Sequence, residues 1–405
     1  MSANKSVTFF IHRSKILSST LGNQSTLFYV DREAVNFNFK KYTTETVNNP
    51  NPDWSKVVSQ AEKIVGYPTS FLSLRWLLSD EIANIALHLQ KLAGSNHPLL
   101  QTAKNLIYNG HNMQAWGLIV LLISKAAGHV NIDDINVDKS AGILHSQWRL
   151  AKITEMIRTS HLVHRSLVNV RSGEYSEQSK LNDINFGNKI ALLSGDYLLG
   201  SSGAELAALR NQELLELIIS TIKDFAESEF VGRRDNQDHP LPSVPQAVRT
   251  GYAEQEWTLR NVLSSGALLG KSCKGTLKLA GHNEEMLEQG YIFGKHLALA
   301  WQACLDLSPF ISRDKKNQFD VCSAPVMFHI EHDPSILIEI DKGLESIQNI
   351  DYVKVYDIVA SGPGIELTKQ LQRKHSHCAM EALNVFREGD ARTALSNLIT
   401  AMGDS

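Results

Sequence analysis

No two of the four cysteines, Cys273, Cys304, Cys322 and Cys378, stand in a CxxC pair. Such scatter builds neither a zinc site nor a disulfide framework, and the four read as reduced core residues. Long hydrophobic runs are also missing. The longest, AWGLIVLLI from Ala115 to Ile123, falls far short of the roughly 20 residues that cross a bilayer, so it reads as a core helix of a chain without a transmembrane segment. Neither charge is in excess: 40 Lys and Arg stand against 43 Asp and Glu, which argues against nucleic acid as a partner. Acidic residues are absent from Met1–Val30, where Lys5, Arg13 and Lys15 lie among Ser, Thr and apolar residues. That is the make-up of a mitochondrial transit peptide. The sequence thus divides into a transit peptide with a flexible segment, 1–48, and a helical domain, 49–405, with a mitochondrial matrix location expected.

What is present beyond NNPNPDW (48–54) is apolar spacing of three and four residues. Helices are predicted near 55–65, 71–93, 98–108, 113–127, 144–171, 187–200, 204–229, 252–280, 284–307, 352–360, 366–386 and 389–402. Alternating strands of convincing length are lacking, and an all-α architecture follows. RSGEYSEQSKLND (171–183) and GRRDNQDHPLPSVPQ (232–246) interrupt the helices. Pro240, Pro242 and Pro245 make the second a long surface loop by removing backbone donors.

Several polar clusters invite a metal or nucleotide reading and support it weakly. DDINVD (133–138) suits a solvated loop with a helix cap. FHIEH (328–332) and KHSHC (374–378) lack the spacing of HExxH. SGPG (361–364) is a turn without the strand a dinucleotide fingerprint needs. In MIRTSHLVHRSLVNV (156–170), His161, His164, Arg165 and Asn169 sit within an apolar set that predicts burial, and an unpaired buried charge is costly. His161 and His164 share one helix face, which is compatible with a metal and not sufficient for one.

FGNKIALLSGDYLL (186–199), GALLGKSCKGTLKLA (266–280), YIFGKHLALAWQACLDL (291–307) and the segment from Gly364 to Met402 together resemble the trans-polyprenyl diphosphate synthases. The resemblance implies an isoprenoid-synthase-like helical bundle around a central cavity. In that family, diphosphate leaves an allylic substrate while Mg²⁺ ions, held by two aspartate-rich motifs on facing helices, neutralise the developing charge. Laid on LxHDDxxD, this sequence has His164, Arg165, Ser166 and Asn169. Laid on QxxDDxxD, it has Gln302, Leu305, Asp306 and Pro309, keeping one carboxylate. The segment from Gly110 to Ala115 stands where the family carries the cations that hold isopentenyl diphosphate, and has none of them.

Such losses are similar to the partner-subunit branch of the family. They imply a non-catalytic or regulatory subunit of a hetero-oligomeric, decaprenyl- or solanesyl-type synthase that supplies the ubiquinone side chain. A homologous catalytic subunit would bind the Mg²⁺ and most of the allylic and isopentenyl diphosphate, in an assembly that could be a heterotetramer. No cofactor is expected in this chain. Lys271 matches a diphosphate-site position and is expected as a residual contact at most. Ile190, Leu193 and Tyr197 are expected at the subunit interface. Arg165 is expected to face Asp306 across the cavity, with Lys271 as the alternative partner. An independent enzyme using His161, His164 and Asp306, and a lipid carrier that keeps the apolar cavity, are the competing readings.

Overall fold

Where the apolar period gives out, side-chain caps set the helix ends. The computed structural model describes residues 52–66, 97–99, 102, 116–130, 137–138, 142–169, 178–244, 251–312 and 319–403. The main helices are α1 (Pro52–Val65), α2 (Trp116–Ala127), α3 (His145–His164), α4 (Gln178–Ala207), α5 (Gln212–Ser228), α6 (Tyr252–Asn261), α7 (Ala267–Leu279) and α8 (Glu284–Ile311). They are followed by α9 (Ala324–His332), the short α10 (Leu337–Ile340), α11 (Tyr352–Ser361), α12 (Gly364–Ala382) and α13 (Asp390–Gly403). The Asn211 carboxamide accepts from Leu214 N at the start of α5, and Asn283 does the same for Met286 N at the start of α8. Glu213, Glu284 and Glu285 add negative charge to those first turns, where the helix dipole favours it.

α2 is apolar all round, and all of it but Lys125 is buried, as AWGLIVLLI predicts. It packs with α3 and α7 through a seam that holds its few polar groups in pairs. Ser124 meets Thr276 at 2.7 Å, Thr154 donates to Ser272 at 2.9 Å, and Gln147 donates to the Thr276 carbonyl at 3.0 Å. Glycines let α7 and α8 close in. A Cβ on Gly294 would lie 2.6 Å from the Leu269 carbonyl oxygen, and one on Gly290 would lie 2.3 Å from Leu277. A second, smaller core gathers Phe310, Phe319, Val326, Ile330, Ile340, Val355 and Val359 around the end of α8 and α9–α11.

Four differences from the sequence reading have local causes. The 252–280 helix is not uniform, because Val262–Gly266 forms a π-turn between α6 and α7. α4 begins inside the segment expected to be a loop and runs through Gly200 and Gly203, each costing roughly 0.5–1 kcal/mol that packing offsets. α9 includes FHIEH, with Ser323 before it and Pro325 in its first turn. The expected surface loop at 232–246 instead forms a hairpin, β3 (Arg233–Arg234) with β4 (Pro240–Leu241), antiparallel with Arg233 opposite Leu241. Leu241 is fully buried. The other strand pair, β1 (Val137–Asp138) with β2 (Ile143–Leu144), takes in the end of DDINVD. The expected transit segment 1–48, the helices near 71–93 and 98–108 apart from a few positions, and Gly110–Ala115 lie outside the described residues. Among the described residues no helix is long and apolar enough to cross a membrane.

Candidate functional site

α3 stops at His164, so the polar cluster straddles a helix end instead of a buried helix. Arg165 takes the C-cap position, its N–H donating to the His161 carbonyl, and its guanidinium is exposed. Ser166 is buried, with its hydroxyl on the Val163 carbonyl at 2.5 Å. Asn169 donates to the Gln237 carbonyl at 2.6 Å, on the hairpin. The two histidines part company. His164 meets Asp196 of α4 at 3.3 Å and packs where a Cβ on Gly195 would otherwise stand. His161 stacks on Phe225 of α5 with ring centroids 4.0 Å apart, and burial, with the nearby Arg165, His164 and Arg158, drives its pKa down to about 3. A metal bridging the pair is not what this arrangement serves.

On α8, Gln302 and Leu305 line a cavity, and Asp306 does not. The Asp306 carboxylate turns into the protein, accepting from Trp257 Nε1 at 2.7 Å, from the Ala324 backbone N–H at 2.9 Å and from Gln302 Nε2 at 2.8 Å. It thereby ties α8 to α6 and to the first turn of α9. Burial raises its pKa to about 7 against these donors. The expected Arg165–Asp306 pair is therefore absent: one group is in solvent and the other has three internal donors. Pro309 lies within α8 two residues before its end, where its missing N–H deprives the Leu305 carbonyl of a helix partner. Lys271, the alternative partner, is not at the cavity either. It donates to Ser220 at 2.7 Å and pairs with Asp224, both on α5, so its charge is already neutralised.

The cavity has a volume of about 1780 Å³. His164, Arg165 and Asn169 reach it from one side and Gln302 and Leu305 from another, so the residues aligned with the two motifs do converge. Ser264 and Ser265 of the π-turn line the wall for which Lys271 was expected. Apolar Ile157, Phe225, Leu268 and Trp301 supply much of the rest. The sequence reading passed over Arg158 and Glu155 on α3. Arg158 lines the cavity, lies 4.9 Å over the Trp116 ring and faces Glu155 at 3.9 Å, while Glu155 accepts from the Gly117 N–H at the start of α2. Burial lifts the Glu155 pKa to about 7. The i, i+3 spacing of opposite charges was the available signal.

Of the expected interface residues on α4, Leu193 and Tyr197 are exposed at 54% and 44%, with Leu192 beside them. Ile190 turns inward and packs on Leu99, Val163 and Ala191 of its own chain. Two of the remaining polar clusters, FHIEH and KHSHC, make structural contacts. Glu331 accepts from the Gly251 and Ala253 N–H groups at the start of α6, and His375 meets His296.

The Polyprenyl synthetase family profile matches residues 97–352, which span both motif segments. The chain belongs to the polyprenyl synthetase family. It is 40% identical over 355 residues to the All trans-polyprenyl-diphosphate synthase PDSS2 of Homo sapiens, across 86% of this chain and 87% of that protein. It is 25% identical over 411 residues to the Probable hexaprenyl pyrophosphate synthase, mitochondrial, of Yarrowia lipolytica, covering 87% and 89% of the two chains. The decaprenyl diphosphate synthase from Rhodobacter capsulatus superposes with a TM-score of 0.56 at 16% identity, over 85% of this chain and 99% of that one, and this shows the all-α isoprenoid-synthase fold. The family implies Mg²⁺ in its active members, and the side chains at these positions do not fit it. A guanidinium, an amide donating to a carbonyl and a leucine stand where hard oxygen ligands are needed, and the retained carboxylate is committed to three donors. Among the described residues no three His, Cys, Asp or Glu side chains are placed to hold a metal ion.

Proposed function

We propose that this chain is the non-catalytic subunit of a hetero-oligomeric, decaprenyl- or solanesyl-type polyprenyl diphosphate synthase that supplies the ubiquinone side chain in the mitochondrion. The observation that carries the reading is Asp306. The one aspartate kept from the two motifs serves as an internal tie between α6, α8 and α9 and is not available to a cation in the cavity. Allylic diphosphate ionisation needs its departing charge neutralised, and among the described residues no three His, Cys, Asp or Glu side chains come together to hold the ions that do so. A homologous catalytic subunit then binds the Mg²⁺ and the two diphosphate substrates. The exposed apolar face Leu192, Leu193 and Tyr197 of α4 suits the contact with that subunit, since obligate interfaces are large and apolar. The acid-free segment Met1–Val30 and the mitochondrial naming of the Yarrowia lipolytica relative support the location.

The test is expression of this chain alone and together with a catalytic homologue, followed by an assay of polyprenyl diphosphate with Mg²⁺. Product is expected only from the pair. Turnover by this chain alone overturns the proposal.

A further inference from the structure

The cavity is large and nearly balanced in charge. At about 1780 Å³ it exceeds the roughly 300–1,000 Å³ of ordinary small-molecule sites, so it has room for a long chain. Among the described residues, five Arg and Lys line it against four Asp and Glu. Arg234 pairs with Glu229 at 2.9 Å, Arg260 pairs with Glu256 at 2.7 Å, and Arg158 faces Glu155 at 3.9 Å. Arg165 is exposed, where water and salt screen it. His161 is held neutral by burial and by the cations near it, and its ring lies flat on Phe225. Several polar groups on the wall are neutral as well. Ser264 and Ser265 line it from the π-turn, and Gln302 lines it from α8, against which the π-turn packs. Ser265 donates to the Asn261 carbonyl at 2.9 Å and keeps its lone pairs, while Gln302 donates through Nε2 to Asp306 at 2.8 Å and keeps Oε1 as an acceptor. Ser264 is half-buried and can both donate and accept. π-turns are rare and recur at functional sites. Leu167, Phe230 and Leu305 line the cavity and are exposed at 41%, 84% and 44%, which gives its mouth an apolar rim.

We propose that this cavity binds a neutral long-chain lipid whose head is a hydroxyl, with Ser264, Ser265 and Gln302 around the head and Ile157, Phe225 and Leu268 along the chain. A hydroxyl both donates and accepts, which suits these three side chains, and it brings no charge into walls whose cations are mostly paired. A diphosphate brings several negative charges. Beside cations already matched to carboxylates it would be partly desolvated without compensation. The ligand therefore differs in its head from the diphosphate substrates of the synthases. The inference goes beyond the subunit reading and is tested apart from it, because binding is read on this chain alone and without turnover.

Geranylgeraniol and geranylgeranyl diphosphate share one chain and differ in the head, so retention of the two radiolabelled compounds by the full-length protein decides the ligand. Each is measured in EDTA and again in Mg²⁺. The alcohol should saturate at one site per chain and bind at least about tenfold tighter than the diphosphate in both media. Ser264→Ala combined with Ser265→Ala should weaken the alcohol by about three- to tenfold, as expected for one or two lost neutral hydrogen bonds, with a thermal midpoint near that of the parent. Tighter binding of the diphosphate in either medium, retention of neither compound, or uptake of the alcohol that does not saturate would overturn the neutral ligand. Parent-like affinity for the alcohol in the double variant would overturn the placement of its head.

Discussion

Asp306 illustrates how a residue's identity and its duty come apart. Its position in the motif is legible in the sequence, and so is its kinship to a metal ligand. Its direction is not, because that depends on Trp257 and Ala324, which lie 49 residues before it and 18 after it. Removing the carboxylate in Asp306→Ala leaves the indole and amide donors buried without an acceptor and should cost about 2–4 kcal/mol in urea unfolding. Asp306→Asn keeps an acceptor and should cost less. The pH dependence has a definite sign. The folded carboxyl is raised to about 7, so the stability it contributes is present below its unfolded pKa near 3.9 and is lost as pH rises through about 7. The Asn variant should therefore gain on the parent between about pH 4 and pH 7, and a difference that stays flat would refute the burial argument. Arg165→Met, by contrast, alters an exposed side chain and should leave stability within about 0.5 kcal/mol.

At the scale of helices, period and caps made most elements legible, while breaks that packing overrides were not. Gly200 and Gly203 read as a boundary because glycine weakens a helix, yet α4 continues through them with Leu198, Ser202 and Leu206 buried on its inner side. The histidines of α8 and α12 show the same limit. His296 and His375 come from segments 79 residues apart, meet Nδ1 to Nδ1 at 2.8 Å, and have Lys295 and Lys374 nearby. Burial, then the neighbouring positive charge, lowers them to about 4 and about 3. Depressed histidines favour the neutral form, so the stability is intact above their unfolded pKa near 6.5 and is lost as pH falls toward 4 and 3. The thermal midpoint of the parent should drop over that range, and His296→Leu with His375→Phe should flatten the drop. On α4, Leu193→Glu should leave this chain folded, since the side chain is already in water, and should weaken co-purification with the catalytic homologue. Unchanged assembly would move the interface elsewhere.

For the whole molecule, the fold was more legible than the site. Apolar spacing over hundreds of residues averages out local errors, whereas a site depends on a few directions that spacing does not report. Restoring aspartates at Arg165, Ser166 and Asn169 should accordingly fail to yield Mg²⁺-dependent product without a partner. Ser166 is buried on the Val163 carbonyl, Leu305 and Pro309 remain, and Asp306 keeps its three donors. The π-turn at Val262–Gly266 makes the chain intolerant of insertions and deletions at that point. Such a turn takes in one residue more than an α-turn, so losing a single residue there would rotate all of α7 by about 100° about its own axis. Ser272 and Thr276 would leave Thr154 and Ser124, and Gly275 would leave Leu214 and Leu150. Ser264 and Ser265, on the cavity wall, can change identity without that upheaval. At this point of the chain heredity is free to respell the letters and is held to their number.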